Sequence, residues 1–381
     1  MSGASLDRIL SGLEPGVDYS TWQGASQNEP AALFTRYSVR ELLALDRSFE
    51  WLMRGSIVRP THGMLGGEKK TLKTYVAVVF MLALASGRKA FDHFEVPRAV
   101  PVMVYVGEGG RIPYTERLER VAKAMGVKLE DVPLFTSFDT APVMSEKFQT
   151  SLRRDLEETG AEATFLDPLY SFHGSDADAR NLHDEGQLLN SISQPCSDAG
   201  SSLTVVNHFN KTGNGRGLDR LTMAGGAEWC DSWWLLSHRE IPNVAAGEFQ
   251  LLLEVGSRRW GGMEYDLDFK VGKFDVDRGE FVGDMSWDIR PHDAASSGGD
   301  LRGAVLSVVG AQPFEYTKEE LAKRVGGRLT EARRMVNFLD EIKALESRLV
   351  ERHRTDGRRY KAWVFGPTSE PGRDRTADDA L

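Results

Sequence analysis

Between about Phe49 and Asp288, short apolar runs rich in β-branched residues alternate with longer stretches of helical periodicity. The runs predict strands at His62–Leu65, Pro101–Val106, Ala163–Leu166, Leu203–His208, Trp233–Ser237, Gln250–Val255 and Tyr265–Val271. Helices are expected at Thr74–Ser86, Tyr114–Ala124, Ser145–Glu158 and Ala179–Ser193, among the first four strands. Such alternation predicts a mainly parallel sheet covered on both faces. The last strands follow one another without long helices, so that edge is expected to be antiparallel. Residues 1–45 are polar, with one short helical pattern around Ser38–Leu45, and carry no recognisable chemistry. The most apolar stretch, Tyr75–Ala85, is about half of the roughly 20 residues a bilayer span needs and reads as a buried helix.

The pattern changes after Ala294-Ala-Ser-Ser-Gly-Gly-Asp300, a linker by composition. The core is therefore placed at 46–293, the linker at 294–300, a second domain at 301–366 and a disordered tail at 367–381. In the second domain a first helix covers Leu301–Gly310, and the capping box Thr317-Lys-Glu-Glu320 opens another that runs to Val325. A Gly326-Gly327 turn and a third helix from Thr330 follow. Two alternating strands then flank Thr355-Asp356-Gly357, the signature of a hairpin. Helix–turn–helix followed by a hairpin resembles a winged helix. Arg333, Arg334 and Asn337 fall on the third helix, where such folds read a duplex. Arg354, Arg358 and Arg359 fall at the wing tip, suited to phosphate contacts.

Charge sharpens this division. The chain of 381 residues carries a net −9, yet Leu301–Gly366 has 14 basic against 9 acidic residues, so the remainder sums to −14. A basic module on an acidic body confines any nucleic-acid contact to that module or to particular loops. With 41% hydrophobic and 27% charged residues the chain can bury a sizeable core. Two cysteines, Cys196 and Cys230, form neither a disulfide framework nor a metal pair, and no leader pattern opens the sequence. The expectation is a soluble cytoplasmic protein without a membrane partner.

Candidate chemistry concentrates in four places. Gly66-Gly67-Glu68-Lys69-Lys70-Thr71-Leu72-Lys73-Thr74 joins a short strand to a long apolar helix, the context of a phosphate-binding loop. Backbone amides around Gly66, Gly67, Lys70 and Thr71 would face phosphate oxygens, with Lys73 on the β/γ-phosphates and the Thr74 hydroxyl on Mg²⁺. Leu72 stands where the usual pattern has glycine, and a side chain there threatens to crowd the loop. Asp167 ends an apolar strand some 90 residues on, placed for the Mg²⁺ side. Glu108 follows another strand and can deprotonate an attacking water. His208 follows a third, within reach of a γ-phosphate. ATP and Mg²⁺ are the expected ligands.

Together, Lys70-Thr71-Leu72-Lys73-Thr74, Glu108, Asp167-Pro168-Leu169 with His173, Asn207-His208-x-x-Lys211 and Ala224-Gly225-Gly226-Ala227 resemble the RepA-like branch of the RecA/DnaB superfamily over Phe49–Phe274. The expected fold is accordingly α/β, a RecA-like P-loop core with a mainly parallel sheet plus a C-terminal winged-helix domain. The resemblance implies Glu108 as catalytic base, His208 as sensor and a ring-forming homo-oligomer, a hexamer, with single-stranded DNA in its channel near Lys211 and duplex DNA at the winged helix. Where the family carries an arginine reaching a neighbour's ATP, this chain has Trp234. Arg239, Arg258 and Arg259 are the nearest substitutes, and the last two, at the end of a later strand, resemble a basic pair that contacts γ-phosphate in trans. The function expected is a DNA-associated ATPase, a helicase or replication ATPase of a phage, plasmid or integrated element. The alternative is a nucleotide-gated DNA-binding regulator with little turnover.

Overall fold

The computed structural model describes residues 36–46, 48–174, 182–209, 218, 221, 226–292, 301–325, 329–353 and 358–368. The chain divides into a unit ending at Ser48 and a larger one beginning at Phe49. In the first, helix α1 (Val39–Ala44) is opened by a capping box in which Ser38 and Glu41 bond reciprocally.

The larger unit opens with a hairpin, β1 (Glu50–Met53) and β2 (Ile57–Arg59), followed by β3 (His62–Gly67) and helix α2 (Lys73–Ser86). Next come β4 (Val102–Val106), α3 (Arg111–Met125), β5 (Leu134–Ser137), α4 (Glu146–Thr159), β6 (Ala163–Asp167), α5 (Leu182–Asp198) and β7 (Ser202–Val206). A short helix α6 (Gly226–Trp229) leads into β8 (Ser232–His238), β9 (Glu248–Ser257) and β10 (Gly261–Lys270). The small ribbon β11 (Lys273–Asp275) and β12 (Glu280–Val282) precedes β13 (Ser286–Pro291).

Nine strands form one sheet in the order β13-β10-β9-β8-β3-β7-β6-β4-β5. From β8 to β5 all neighbours are parallel, while β9, β10 and β13 add an antiparallel edge. The expectation of a mainly parallel sheet with an antiparallel edge holds. All-parallel strands read as continuous apolar runs because helices cover both faces, and β4, β6 and β7 are buried at every position. Helix α2 is buried all round from Tyr75 to Ala85, which is why its sequence shows no polar face. It lies against one side of the sheet with Val104, Phe165 and Leu236, while α4 and α5 cover the other through Phe148, Leu152 and Leu188.

Beyond residue 300 are α7 (Leu301–Ala311), β14 (Tyr316–Thr317), α8 (Lys318–Val325), α9 (Leu329–Glu341), β15 (Glu346–His353) and β16 (Arg359–Gly366). The three strands form an antiparallel sheet in the order β14-β16-β15. This module has its own apolar core around Val305, Leu321, Val336, Leu339 and Phe365. Its second helix is capped by Thr317 and Glu320 in the way the sequence predicts. The proposed linker, the turn at 326–328 and the hairpin tip lie outside the described residues.

Candidate nucleotide site

Parallel strands deliver their carboxyl ends to one edge, where α/β sheets bind ligands. At that edge β3, β4, β6, β7 and β8 end at Gly67, Val106, Asp167, Val206 and His238. Counted from β3, the order is the fifth strand, the first, then the fourth, third and second, with β5 added outside. The chain thus inserts β7 between the lysine-loop strand and the Asp167 strand, and His208 follows that inserted strand, while Glu108 follows β4 on the far side of β6.

The loop from Gly67 to Lys73 is wound tightly upon itself. The Thr71 hydroxyl donates to the Glu68 carbonyl at 2.9 Å, and Lys73 Nζ donates to the Gly67 and Glu68 carbonyls at 3.1 and 2.8 Å. A Cβ on Gly67 would come within 2.7 Å of the Thr71 hydroxyl, so the residue there must be glycine. Leu72 takes the left-handed conformation, φ 59° and ψ 30°, and Lys70 has φ 63°. The loop therefore adopts at Leu72 a backbone shape that glycine would adopt freely. The leucine side chain does not fill the cradle; it packs half-buried against the main core.

That geometry makes a prediction. Leu72→Gly is expected to relieve ~1–2 kcal/mol of left-handed strain while giving up side-chain burial of similar size, leaving the thermal midpoint nearly unchanged. Leu72→Val places a β-branched residue at positive φ and is expected to lower the midpoint by several degrees. Thermal melts of the two variants check this, and a valine variant as stable as the glycine variant would refute it.

Lys73, Thr74, Asp167, Glu108 and His208 come together here. Thr74 donates to the Asp167 carboxylate, and the Asp167 carbonyl accepts from the Gly107 amide at 2.8 Å. Burial pushes Asp167 up to about 6, against the pull of Thr74 and Lys73 and with the help of Glu108. Burial likewise holds Lys73 down to about 8, though Asp167, Glu68 and Glu108 favour its charge. Glu108 itself is exposed, at the mouth of the site. His208 is half-buried and lowered to about 4 by burial and by Lys73 and Lys69, so it is neutral at physiological pH. Its ring stacks on Tyr170 at 6.0 Å, and its amide donates to the Asn207 side chain at 2.8 Å.

A compact cation on the loop, a hydroxyl on the first helical turn and a buried carboxylate ending a strand two places along the sheet suit a magnesium–nucleotide pair. Thr74 and Asp167 would hold Mg²⁺, and Lys73 with the leading amides of α2 would hold phosphate. When bound, the metal neutralises charge on the phosphates. A pH dependence follows. Magnesium needs Asp167 ionised, so its affinity should be flat above about pH 7 and fall by about tenfold per unit below the raised pKa near 6. The stability of the free protein runs the other way, because the folded state holds that proton more tightly than the unfolded chain and loses stability as pH rises towards 6. Titrating Mg²⁺-dependent nucleotide binding between pH 5 and 8 tests this; a profile flat to pH 5 would contradict it.

Other residues expected at the site sit elsewhere. Lys70 Nζ is bound to Glu341 of α9 at 3.0 Å, turned from the cradle towards the C-terminal module. Arg258 and Arg259 follow β9, which runs antiparallel to β8, so they stand at the opposite edge of the sheet from their own phosphate loop. Arg258 donates to the Ala227 carbonyl, and Arg259 lies 4.4 Å over the Phe49 ring. Trp234 is core, its indole donating to Ser56 at 2.6 Å. In the C-terminal module Arg333 is engaged by Glu319, while Arg334, Asn337, Arg358 and Arg359 are exposed. Lys211, Gly225 and Arg354 lie outside the described residues.

Two groups escaped the sequence. Arg117 on α3 acts electrostatically on Asp167 and lies 5.9 Å from the Tyr75 ring; its place about two helical turns beyond Gly110 was the available signal. Glu68 is the other: a carboxylate inside the phosphate loop, 8% exposed, bound by Arg302 and by the His238 amide.

Comparison with known proteins agrees with this site. Residues 27–214 match the family model described as an AAA domain. A search of curated proteins returns no match. Among solved structures, a KaiC-like protein of the hyperthermophilic archaeon Pyrococcus horikoshii OT3 is similar at 16% identity and a TM-score of 0.39, over 64% of this chain and 95% of that one. The AAA-domain match spans β3 to β7 and the phosphate loop of this site, and the strand order is that of an α/β sheet with its candidate ligands at the carboxyl edge. Among the described residues no helix is long and apolar enough to cross a membrane.

Proposed function

We propose that this protein hydrolyses ATP and couples the reaction to DNA, as a RepA-like helicase or replication ATPase of a mobile element. The observation that carries the reading is the gathering of Lys73, Thr74, Asp167, Glu108 and His208 at one sheet edge. Lys73 leaves the Gly67 and Glu68 carbonyls for the phosphates. Glu108, exposed at the mouth of the site, orients and deprotonates the water that attacks the γ-phosphate. Neutral His208 hydrogen-bonds the γ-phosphate and passes its loss to the segment that follows β7. Arg258 and Arg259, remote from their own loop, would serve a neighbouring subunit's nucleotide in a hexameric ring; an arginine supplied in trans is worth ~10³–10⁵ in rate.

The C-terminal module, with the helix order and three-stranded sheet of a winged helix, presents Arg334, Asn337, Arg358 and Arg359 to duplex DNA. Single-stranded DNA would pass the Lys211 segment in the channel. The second reading, a nucleotide-gated DNA-binding regulator, draws on the seating of that module against the phosphate loop. Steady-state hydrolysis with and without single-stranded DNA separates the two. Stimulation by DNA supports the motor; nucleotide binding without turnover supports the regulator. Arg334→Ala and Arg358→Ala should each weaken duplex binding across sequences and reduce its salt slope by about one. Unchanged binding would remove DNA from the account of this module.

A further inference from the structure

A carboxylate in the middle of an anion-binding loop is out of place. Phosphate loops gather amides and cations, yet Glu68 lies between Gly67 and Lys69, buried, with its charge felt at Lys73. It does not reach into the cradle. Its carboxylate accepts from the His238 amide at 2.9 Å and from both terminal nitrogens of Arg302, one of them at 3.0 Å. Arg302 comes from the first turn of α7, more than two hundred residues away, and its Nη1 also donates to the His238 carbonyl at 2.6 Å.

Further contacts join the same two surfaces. His238 Nε2 donates to the Lys69 carbonyl at 3.0 Å, and the ring meets Phe338 of α9 edge-on at 5.0 Å. Lys70 reaches Glu341 on the same helix. Arg302 is 14% exposed at its side chain and Glu68 9%, so the pair is shielded from solvent and ions.

We propose that Arg302 is a positioning residue for nucleotide binding: by neutralising Glu68 from the C-terminal module, it makes the phosphate loop fit for the β- and γ-phosphates. The inference rests on the ATP reading of the loop and deepens it. With Arg302 in place the loop presents net positive charge through Lys73. With Arg302 withdrawn, an uncompensated carboxylate faces an incoming polyanion at short range, in a poorly screened setting. The affinity of the core for nucleotide is therefore set by whether the C-terminal module is seated. Linkage makes this reciprocal: bound nucleotide favours the seated module, and a ligand that lifts the module off lowers nucleotide affinity. Phe338 and Glu341 belong to α9, the helix assigned above to DNA, so the surface that reports nucleotide also carries the proposed DNA contacts.

The test is equilibrium binding of a fluorescent ATP analogue with Mg²⁺ to the full chain. Arg302→Ala is expected to weaken binding by about tenfold or more, since one unit charge at close range in a part-buried site is worth at least that. Glu68→Gln alone should bind at least as tightly as wild type. The double variant Glu68→Gln/Arg302→Ala should return to within about threefold of wild type, because the charge that needed neutralising is gone. A role for Arg302 as a mere brace predicts the opposite, a double variant as weak as Arg302→Ala, and that result overturns the proposal. Should Arg302→Ala not fold, because it strands a buried carboxylate, Arg302→Gln replaces it: hydrogen-bond donors remain and the charge does not. Arg302→Gln binding like wild type also overturns it. A folded wild type that binds no nucleotide fails at the ATP reading itself, whereas a binding wild type with a silent Arg302 fails only here.

Discussion

Lys73→Ala is expected to reduce ATP affinity by about 10–100-fold and to leave no measurable hydrolysis, without lowering the stability of the fold. The affinity loss is that of one charge-assisted hydrogen bond to phosphate, ~1.5–3 kcal/mol. The stability argument starts from burial. Lys73 is 8% exposed and its pKa is held down to about 8, so keeping it charged at pH 7 costs the folded state on the order of 3 kcal/mol against an exposed lysine. Removing the ammonium removes that cost, which offsets the bonds to the Gly67 and Glu68 carbonyls. Isothermal binding and a thermal melt on one preparation check both halves. A variant that binds ATP normally would mean that the loop is a lysine-rich turn and nothing more.

Asp167→Asn should separate function from stability more sharply still. Its carboxylate is pushed up to about 6 by burial, so at neutral pH the ionised form strains the fold. Asparagine keeps an acceptor for Thr74 and drops the charge. The variant is expected to gain on the order of 1–2 kcal/mol in denaturant melts at pH 7, part of the full shift being returned because Lys73 loses a partner. As pH falls through 6 the gain should shrink, and it should vanish only below the ordinary aspartate value of 3.8, where the unfolded chain is protonated as well. Hydrolysis should fall at least ~100-fold, since metal-borne charge stabilisation is worth several kcal/mol. An equally stable or weaker variant at pH 7 would show that Asp167 is not a strained, metal-ready carboxylate.

Much of this edge was legible from residues alone. Strands β3, β4, β6 and β7 announce themselves as apolar runs because both faces are covered, and each is followed by a polar residue that the sheet brings to one side. The missed strand β5, Leu134–Ser137, is four half-exposed residues at the sheet's margin, where no burial pattern is imposed on the sequence. The β1–β2 hairpin turns at Gly55 with strands of four and three residues, too short for an alternation to stand out. Leu72 was legible as an oddity but not as a solution. Only the backbone shows that a leucine takes the left-handed turn with its side chain directed into the core. Lys70 read as a loop amide facing phosphate; where its side chain goes was not legible, because its partner, Glu341, is 271 residues away and no local pattern encodes such a pairing. Glu68 and Arg302 were invisible for the same reason: each is an ordinary charged residue until the other is beside it.

The central claim is that this sheet edge binds and hydrolyses ATP, and Glu108→Gln tests it most directly. Glu108 is exposed and lies outside the core, so its replacement leaves folding and nucleotide binding intact. The measurement is steady-state ATP hydrolysis by wild type and Glu108→Gln, with nucleotide affinity determined on the same samples. Wild type should turn over in the presence of Mg²⁺, and the variant should bind ATP as wild type does while hydrolysing it at least ~100-fold more slowly. A Glu108→Gln protein that hydrolyses at the wild-type rate, or a wild type that binds no nucleotide, would contradict the account.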